Sequence, residues 1–295
     1  MVELVRKRLP SWLRRKLPVL SAEKTHQVLA EHRLTTVCES ALCPNRSECY
    51  AHRTATFMIL GDVCTRRCGF CAVPTGLAEV DPGEPERVAY AARDLGLGYV
   101  VVTSVARDDM ADEGAAHFAK TVRAIFNEIP GVSVEVLTPD FHAREELIAQ
   151  IVAACPTVYN HNVETVERLQ KKVRPQAGYA RSLKVLERVK HLDPSMTTKS
   201  GLMLGLGERR EEVFHTARDL RSAGCDILTL GQYLAPGKNH LQVEEFVLPE
   251  VFGEIKERLS GLGFREIFSG PYVRSSYHAG ETFLNSLGPS SRKLD

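Results

Sequence analysis

From Thr56 onward, apolar and polar positions alternate in blocks along the chain. Short apolar runs rich in β-branched and aromatic residues occupy 57–63, 99–105, 132–138, 157–163, 199–206 and 227–234. Each reads as a buried strand between turn residues. Amphipathic stretches at 84–95, 112–128, 141–154, 179–191, 209–223 and 249–260 follow the strands in turn and read as helices. Strands alternating with helices imply a parallel sheet covered by helices. Six such units fall short of the eight in a closed barrel. The fold predicted is therefore α/β, a partial (β/α)6 barrel. It spans 56–262, with an N-terminal extension over 1–55 and a C-terminal extension over 263–295.

The extensions carry less pattern. Residues 21–34 read as a helix capped by Ser21, with Leu29 and Leu34 on its apolar side. The stretch 35–56, rich in Pro, Asn and Ser, reads as a loop. The first eighteen residues hold six Lys/Arg against one Glu and no continuous apolar core, so they do not read as a secretory leader. Trp12 and Leu13 within them call for a surface to pack on. The chain of 295 residues is 43% hydrophobic and 25% charged with a net charge of +1. That balance fits a globular protein and gives no bulk attraction to nucleic acid. No apolar run is long enough to span a membrane.

The chemistry concentrates between residues 38 and 71, which hold six of the eight cysteines. They form two triplets, Cys38-x4-Cys43-x5-Cys49 and Cys64-x3-Cys68-x2-Cys71. Thiolates are soft ligands for iron–sulfur clusters and zinc. A structural zinc usually takes two close pairs, and neither group is a pair of pairs. A four-iron cluster on three cysteines keeps one iron open for another ligand. Zinc sites completed by histidines remain the alternative; a disulfide framework does not suit a chain of this size without a leader. Cys155 and Cys225 have no nearby partner and read as small core residues.

The second triplet follows an apolar strand, and in that setting C-x3-C-x2-C resembles the radical S-adenosylmethionine superfamily. Read with the first triplet, CPNRSEC, TATFMILGDVCTRRCGFCAVPTG and RSSYHAG near the end, the chain resembles the lipoyl synthases from PSWLRRKLP to about Gly280. The resemblance implies a partial barrel of the radical S-adenosylmethionine type and two 4Fe-4S clusters. One would sit on Cys64, Cys68 and Cys71, with its open iron chelating S-adenosylmethionine. The other, auxiliary cluster would sit on Cys38, Cys43 and Cys49, with Ser276 of RSSYHA as fourth ligand and Ser275 as the alternative. A serine oxygen is a labile iron ligand beside thiolates, which suits a cluster that is consumed. Reductive cleavage of S-adenosylmethionine would then activate an octanoyl chain on a carrier protein or domain, and the auxiliary cluster would supply two sulfurs. Further implied partners are a ferredoxin- or flavodoxin-type electron donor and an iron–sulfur carrier, all in the cytoplasm.

Strand C-termini are where parallel α/β folds bind ligands. Thr103 ends the second strand, ahead of Arg107-Asp108-Asp109, which reads either as ligand contact or as a solvated turn and cap. Asn162 and Glu164 in HNVET end the fourth, and the resemblance extends through them. There Glu164 would accept hydrogen bonds from the cofactor's amino group or ribose, and Arg174 would pair with its carboxylate. GLMLGLGE lacks the full dinucleotide fingerprint, so its glycines read as sites of close backbone approach. Gly205, Glu208, Gln232 and Tyr233 complete the polar strand ends. Two departures from the family pattern stand out. Arg67 occupies a position where Asn is expected, adding charge near a cluster, and NHLQVEEF replaces the usual KHLPV. A biotin-synthase-like enzyme would keep the second triplet but lack the first joined to RSSYHA.

Overall fold

The computed structural model describes residues 8–14 and 22–287. Strands β2 (Thr56–Ile59), β3 (Tyr99–Ser104), β4 (Ser133–Leu137), β5 (Val158–Asn160), β6 (Thr197–Leu204) and β7 (Ile227–Gln232) form where the apolar runs predict them. Two more strands join the sheet. β1 (Thr35–Thr36) pairs antiparallel with β2, and β8 (Glu266–Gly270) extends the parallel sheet beyond β7. The eight strands lie in chain order, so each parallel step is a simple crossover. The sheet thus runs past residue 262, with REIFSG as a seventh parallel strand. No ladder among the described residues joins β8 back to β2, so the barrel is open.

In chain order the helices are α1 (Glu23–Glu31), α2 (Val37–Ser40), α3 (Arg46–Ala51), α4 (Glu84–Leu95), α5 (Ala115–Glu128), α6 (Glu145–Val152), α7 (Gln170–Val173), α8 (Tyr179–Leu192), α9 (Arg210–Ser222), α10 (Pro249–Leu259) and α11 (Ala279–Ser286). The period-2 alternation of the strands divides their side chains. Val100, Val102, Val134 and Val136 turn outward onto Val88 of α4 and Phe118 and Val122 of α5. Leu202, Leu204, Leu228 and Leu230 meet Val213 and Leu220 of α9 and Phe252 of α10. Burying one such side chain is worth about 1.5–3 kcal/mol.

The inward positions include a buried polar cluster. Lys199 of β6 bonds both carboxylate oxygens of Glu135 on β4 at 3.0 Å, with both side chains buried. Tyr99 Oη and Asn160 Nδ2 each donate to Glu135 at 2.8 Å. A contact between β4 and β6 across the width of β5 shows how strongly the sheet curls. α11 touches both β8 and β3, so it lies across the open side.

Three expectations change. Residues 35–51 fold as β1, α2 and α3 rather than as loop, because Thr36 accepts from Glu39 N and caps α2. Leu13 is buried, whereas Trp12 stays exposed, so only one of the pair finds a surface. Cys225 is buried as expected. Cys155 is exposed, because the tight turn from α6 into β5 swings it out at φ 54°. α1 starts after Ala22 without a side-chain cap; Ser21 lies outside the described residues. No helix among the described residues is long and apolar enough to cross a membrane.

His161, at the end of β5, is enclosed. Its Nδ1 faces the Thr138 carbonyl at 2.9 Å, so Nδ1 donates and Nε2 accepts from Ser182 Oγ at 3.0 Å. Burial pushes its pKa down from 6.5 to about 4. The folded state therefore holds the neutral ring. Its contribution is complete above pH 6.5 and is lost as pH falls towards 4, by about 3 kcal/mol at the limit. His161→Asn keeps a donor for Thr138 but cannot titrate. Urea unfolding at pH 7 and pH 4.5 should show a smaller acid loss in this variant than in the parent; equal losses would place the acid sensitivity elsewhere.

Candidate active site

The second triplet lies on the loop leaving β2, and this loop is fixed on all sides. Cys64 N donates to Pro74 O at 2.8 Å and Gly76 N to Cys64 O at 2.9 Å. Thr65 Oγ1 donates to Ala106 O at 3.0 Å. Gly69 N reaches Val173 O at 2.8 Å, Leu241 N reaches Gly69 O at 2.9 Å, and His240 Nε2 donates to Cys71 O at 3.1 Å. A Cβ at Gly69 would sit 2.9 Å from the Leu241 side chain, so this close approach requires glycine. The loop 239–246 is thus the segment that covers the second triplet.

Arg66, inside the triplet, was not singled out by the sequence reading. It is buried, forks onto Asp108 at 2.7 and 2.8 Å and reaches Asp140 at 2.8 Å. The Arg66 guanidinium holds the Asp140 carboxyl far below the usual carboxylate range, against the cost of its burial. The ion pair anchors the loop to the ends of β3 and β4. Arg67 points to solvent, with only its backbone N–H held by Gln176 Oε1 at 2.6 Å. Arg107-Asp108-Asp109 is therefore not a free rim: Asp108 holds Arg66, and Arg107 forks onto Asp109 and donates to the Leu60 carbonyl. Asp108, Glu113 and His142 come together as donors of the metal-binding type. Arg66 and Arg144 already neutralise the two carboxylates.

Two backbone donors, Arg66 N at 3.4 Å and Ala106 N at 3.3 Å, point at the Cys64 sulfur. Burial pushes the Cys68 thiol up to about 12 and raises Cys71, and the three sulfurs feel one another's charge. Arg174, which acts on Cys68 in the opposite sense, also faces Glu164. Its Nη1 donates to the carbonyls of Asn162 and Val163 at 2.9 and 2.8 Å. Burial raises the Glu164 pKa against the pull of Arg174. Glu164 has φ 65°, in the left-handed region that non-glycine residues seldom occupy. Asn162 Nδ2 donates to its carboxylate at 3.1 Å. Thr103 lies in the barrel wall, its hydroxyl donating to Leu137 O at 2.9 Å.

The other polar strand ends brace loops. Glu208 accepts from Gly205 N and Leu206 N. Gln232 holds Leu204, Glu245 and Val247, and Tyr233 Oη donates to Leu241 O at 2.7 Å. The close approach at Gly205 is to Gln232 and the Glu245 carbonyl, protein groups that leave no room for a Cβ.

The first triplet is carried by α2, the turn after it and α3. Burial pushes Cys38 up to about 11, and Cys43 adds to that rise. Cys43 N donates to Cys38 O at 3.1 Å, and Cys49 is half-buried in α3. Two hydrogen bonds bring the C-terminal segment to it. Asn45 Nδ2 donates to Tyr272 O at 2.8 Å, and Tyr277 Oη to Glu48 Oε1 at 3.0 Å. Between those anchors run Ser275 and Ser276. Ser276 is half-buried. Ser275 Oγ donates to Asn162 Oδ1 and accepts from Asn160 Nδ2, both at 2.8 Å.

The pattern of the radical SAM superfamily matches residues 58–231. A lipoyl synthase of Caldanaerobacter subterraneus subsp. tengcongensis is 54% identical, over 92% of this chain and 96% of its own. A protein of Gloeobacter violaceus named lipoyl synthase 2 is 55% identical, over 93% of this chain and 96% of its own. The fold is similar to methylornithine synthase, with a TM-score of 0.56 at 14% identity over 84% of this chain and 75% of that one. From superfamily pattern, relatives and fold together, the chain is an enzyme that belongs to the lipoyl synthase family of the radical SAM superfamily.

Proposed function

We propose that this enzyme inserts two sulfur atoms, at C6 and C8, into an octanoyl chain borne by a carrier protein or domain, using S-adenosylmethionine and two 4Fe-4S clusters. The observation that carries the reading is the meeting of four sequence-distant pieces. The RSSYHA segment is tied to the first triplet by hydrogen bonds that reach 227 and 229 residues along the chain, and to the HNVET strand end through Ser275 and Asn162. The second triplet lies beside the same strand end, where Arg174 faces both Cys68 and Glu164. When bound, the clusters and S-adenosylmethionine supply the one-electron chemistry and the sulfur that no side chain carries.

The donor sets fit the groups assigned to them. Burial raises the thiol pKa of Cys38, Cys68 and Cys71, so these make poor nucleophiles and become ligands when a metal displaces the proton. Cys64, Cys68 and Cys71 would hold one cluster, with Arg66 N and Ala106 N donating to the Cys64 sulfur and moderating its charge. Cys38, Cys43, Cys49 and Ser276 would hold the auxiliary cluster. Asn162, Glu164 and Arg174 would bind S-adenosylmethionine beside Cys68: Glu164 as acceptor for its amino group or ribose, Arg174 as partner of its carboxylate. Thr103 would line the cofactor's side of the barrel. His240 and Leu241 would keep water from the second triplet. A ferredoxin- or flavodoxin-type donor and an iron–sulfur carrier would serve the two clusters. Reduced cysteines that must stay free to hold clusters call for a reducing compartment, the cytoplasm.

The test is iron, acid-labile sulfide and zinc per chain after anaerobic purification and reconstitution. The expected result is about eight irons with matching sulfide, two four-iron clusters. About four irons would leave one triplet without its assigned role, and zinc without iron would remove the reading.

A further inference from the structure

We propose that Ser275 is a positioning residue for the auxiliary cluster: its hydroxyl anchors the 274–277 turn inside the barrel so that the adjacent Ser276 is held towards the first triplet. The proposal rests on the assignment of Ser276 as the fourth ligand.

Tyr277 N donates to Arg274 O at 3.0 Å, which closes a four-residue turn with Ser275 and Ser276 at its two corners. Both flanks of the turn are fixed to the first-triplet segment, Tyr272 by Asn45 and Tyr277 by Glu48. A third fixture comes from below. Gly231 of β7 has no Cβ, and the Val273 backbone carbonyl lies where one would be, so the segment enters the turn pressed against the sheet. Ser275 then supplies the only side-chain hydrogen bonds that the structure shows from the turn's two corner residues into the barrel, among the described residues. Its hydroxyl has one proton and gives it to Asn162 Oδ1, while its lone pair takes the Asn160 proton. Used in both roles, this oxygen is poorly placed to ligate iron as well, which favours Ser276 over Ser275 as the ligand.

The anchor is itself rigid. Asn160 is fully buried and shares its amide group between Ser275 and Glu135, whose carboxylate is held by Lys199 and Tyr99. Asn162 is held from the other side by Glu164. Ser275 therefore ties the turn to one buried and one half-buried asparagine, whose own partners leave them little freedom. A labile serine ligand needs such support, because an alkoxide–iron bond is too weak beside thiolates to order a free turn by itself.

The experiment isolates the first triplet in the full chain by Cys64→Ala, Cys68→Ala and Cys71→Ala, followed by anaerobic reconstitution with iron and sulfide. Iron per chain is counted after brief ferricyanide oxidation, and three-iron clusters are detected by electron paramagnetic resonance. In this background Ser276→Ala and Ser275→Ala should each lose about one iron per chain and show a several-fold larger three-iron signal. Ser275→Thr, which keeps the hydroxyl, should match the background. Loss in Ser276→Ala with none in Ser275→Ala overturns the proposal and leaves the ligand assignment standing. No loss in Ser276→Ala removes the assignment and the proposal with it. A Ser275→Ala chain that holds no cluster at all also overturns the proposal, since a misplaced fourth ligand costs one iron rather than the whole cluster.

Discussion

Cys68→Ala should abolish cleavage of S-adenosylmethionine, whereas Cys43→Ala should keep cleavage and lose sulfur insertion. The two cysteines sit in separately built sites. Cys68 is held between the Arg66 clamp and the 239–246 loop, next to Arg174 and Glu164. Cys43 lies in the turn between α2, capped by Thr36, and α3, whose Asn45 and Glu48 hold the C-terminal segment. Loss of a supporting partner around a metal ligand costs about 10–100-fold, so loss of the ligand itself should cost at least ~100-fold. Product analysis would separate the outcomes, with methionine and 5′-deoxyadenosine measured against lipoyl peptide. Equal loss of both activities in Cys43→Ala would mean that the triplets do not have separate roles.

Lys199→Met should destabilise the protein by about 3–5 kcal/mol, the usual cost of leaving a buried charge without its partner. Glu135 is buried in the barrel and is bonded by Lys199, Tyr99 and Asn160. Without the ammonium, two neutral donors remain for a carboxylate in a poorly solvated interior, and it must be protonated or exposed. Lys199→Met combined with Glu135→Gln should be less damaging than the sum of the single changes, because it leaves no uncompensated charge. Urea midpoints for the four proteins of the cycle give the coupling directly. A single-variant cost below about 1 kcal/mol, the scale of a surface pair, would mean that water reaches the barrel interior. Since Asn160 is shared with Ser275, Lys199→Met should also loosen the RSSYHA turn.

The regular part of the molecule was legible in the sequence because its signals are local. Strand and helix periods fall within windows of a few residues, and α4, α8, α9 and α10 match the predicted helices within about a residue. The cysteine triplets were equally plain, since ligand chemistry depends on residue type and short spacing. β8 escaped notice because FREIFSG lies beyond the last clear repeat and its burial is only partial. Cys155 came out exposed because a single turn conformation, invisible to composition, decides which way it faces. Tertiary structure alone decided the rest. It paired Arg66 with Asp140, closed Glu135 on Lys199, turned Ser275 into the barrel and brought the segment 272–277 back to Asn45 and Glu48. Each is a contact between groups far apart in the chain, fixed by the curl of the sheet and the register of its strands. No local pattern encodes such a meeting, because a hydrogen bond acts over about 3 Å of space regardless of sequence distance.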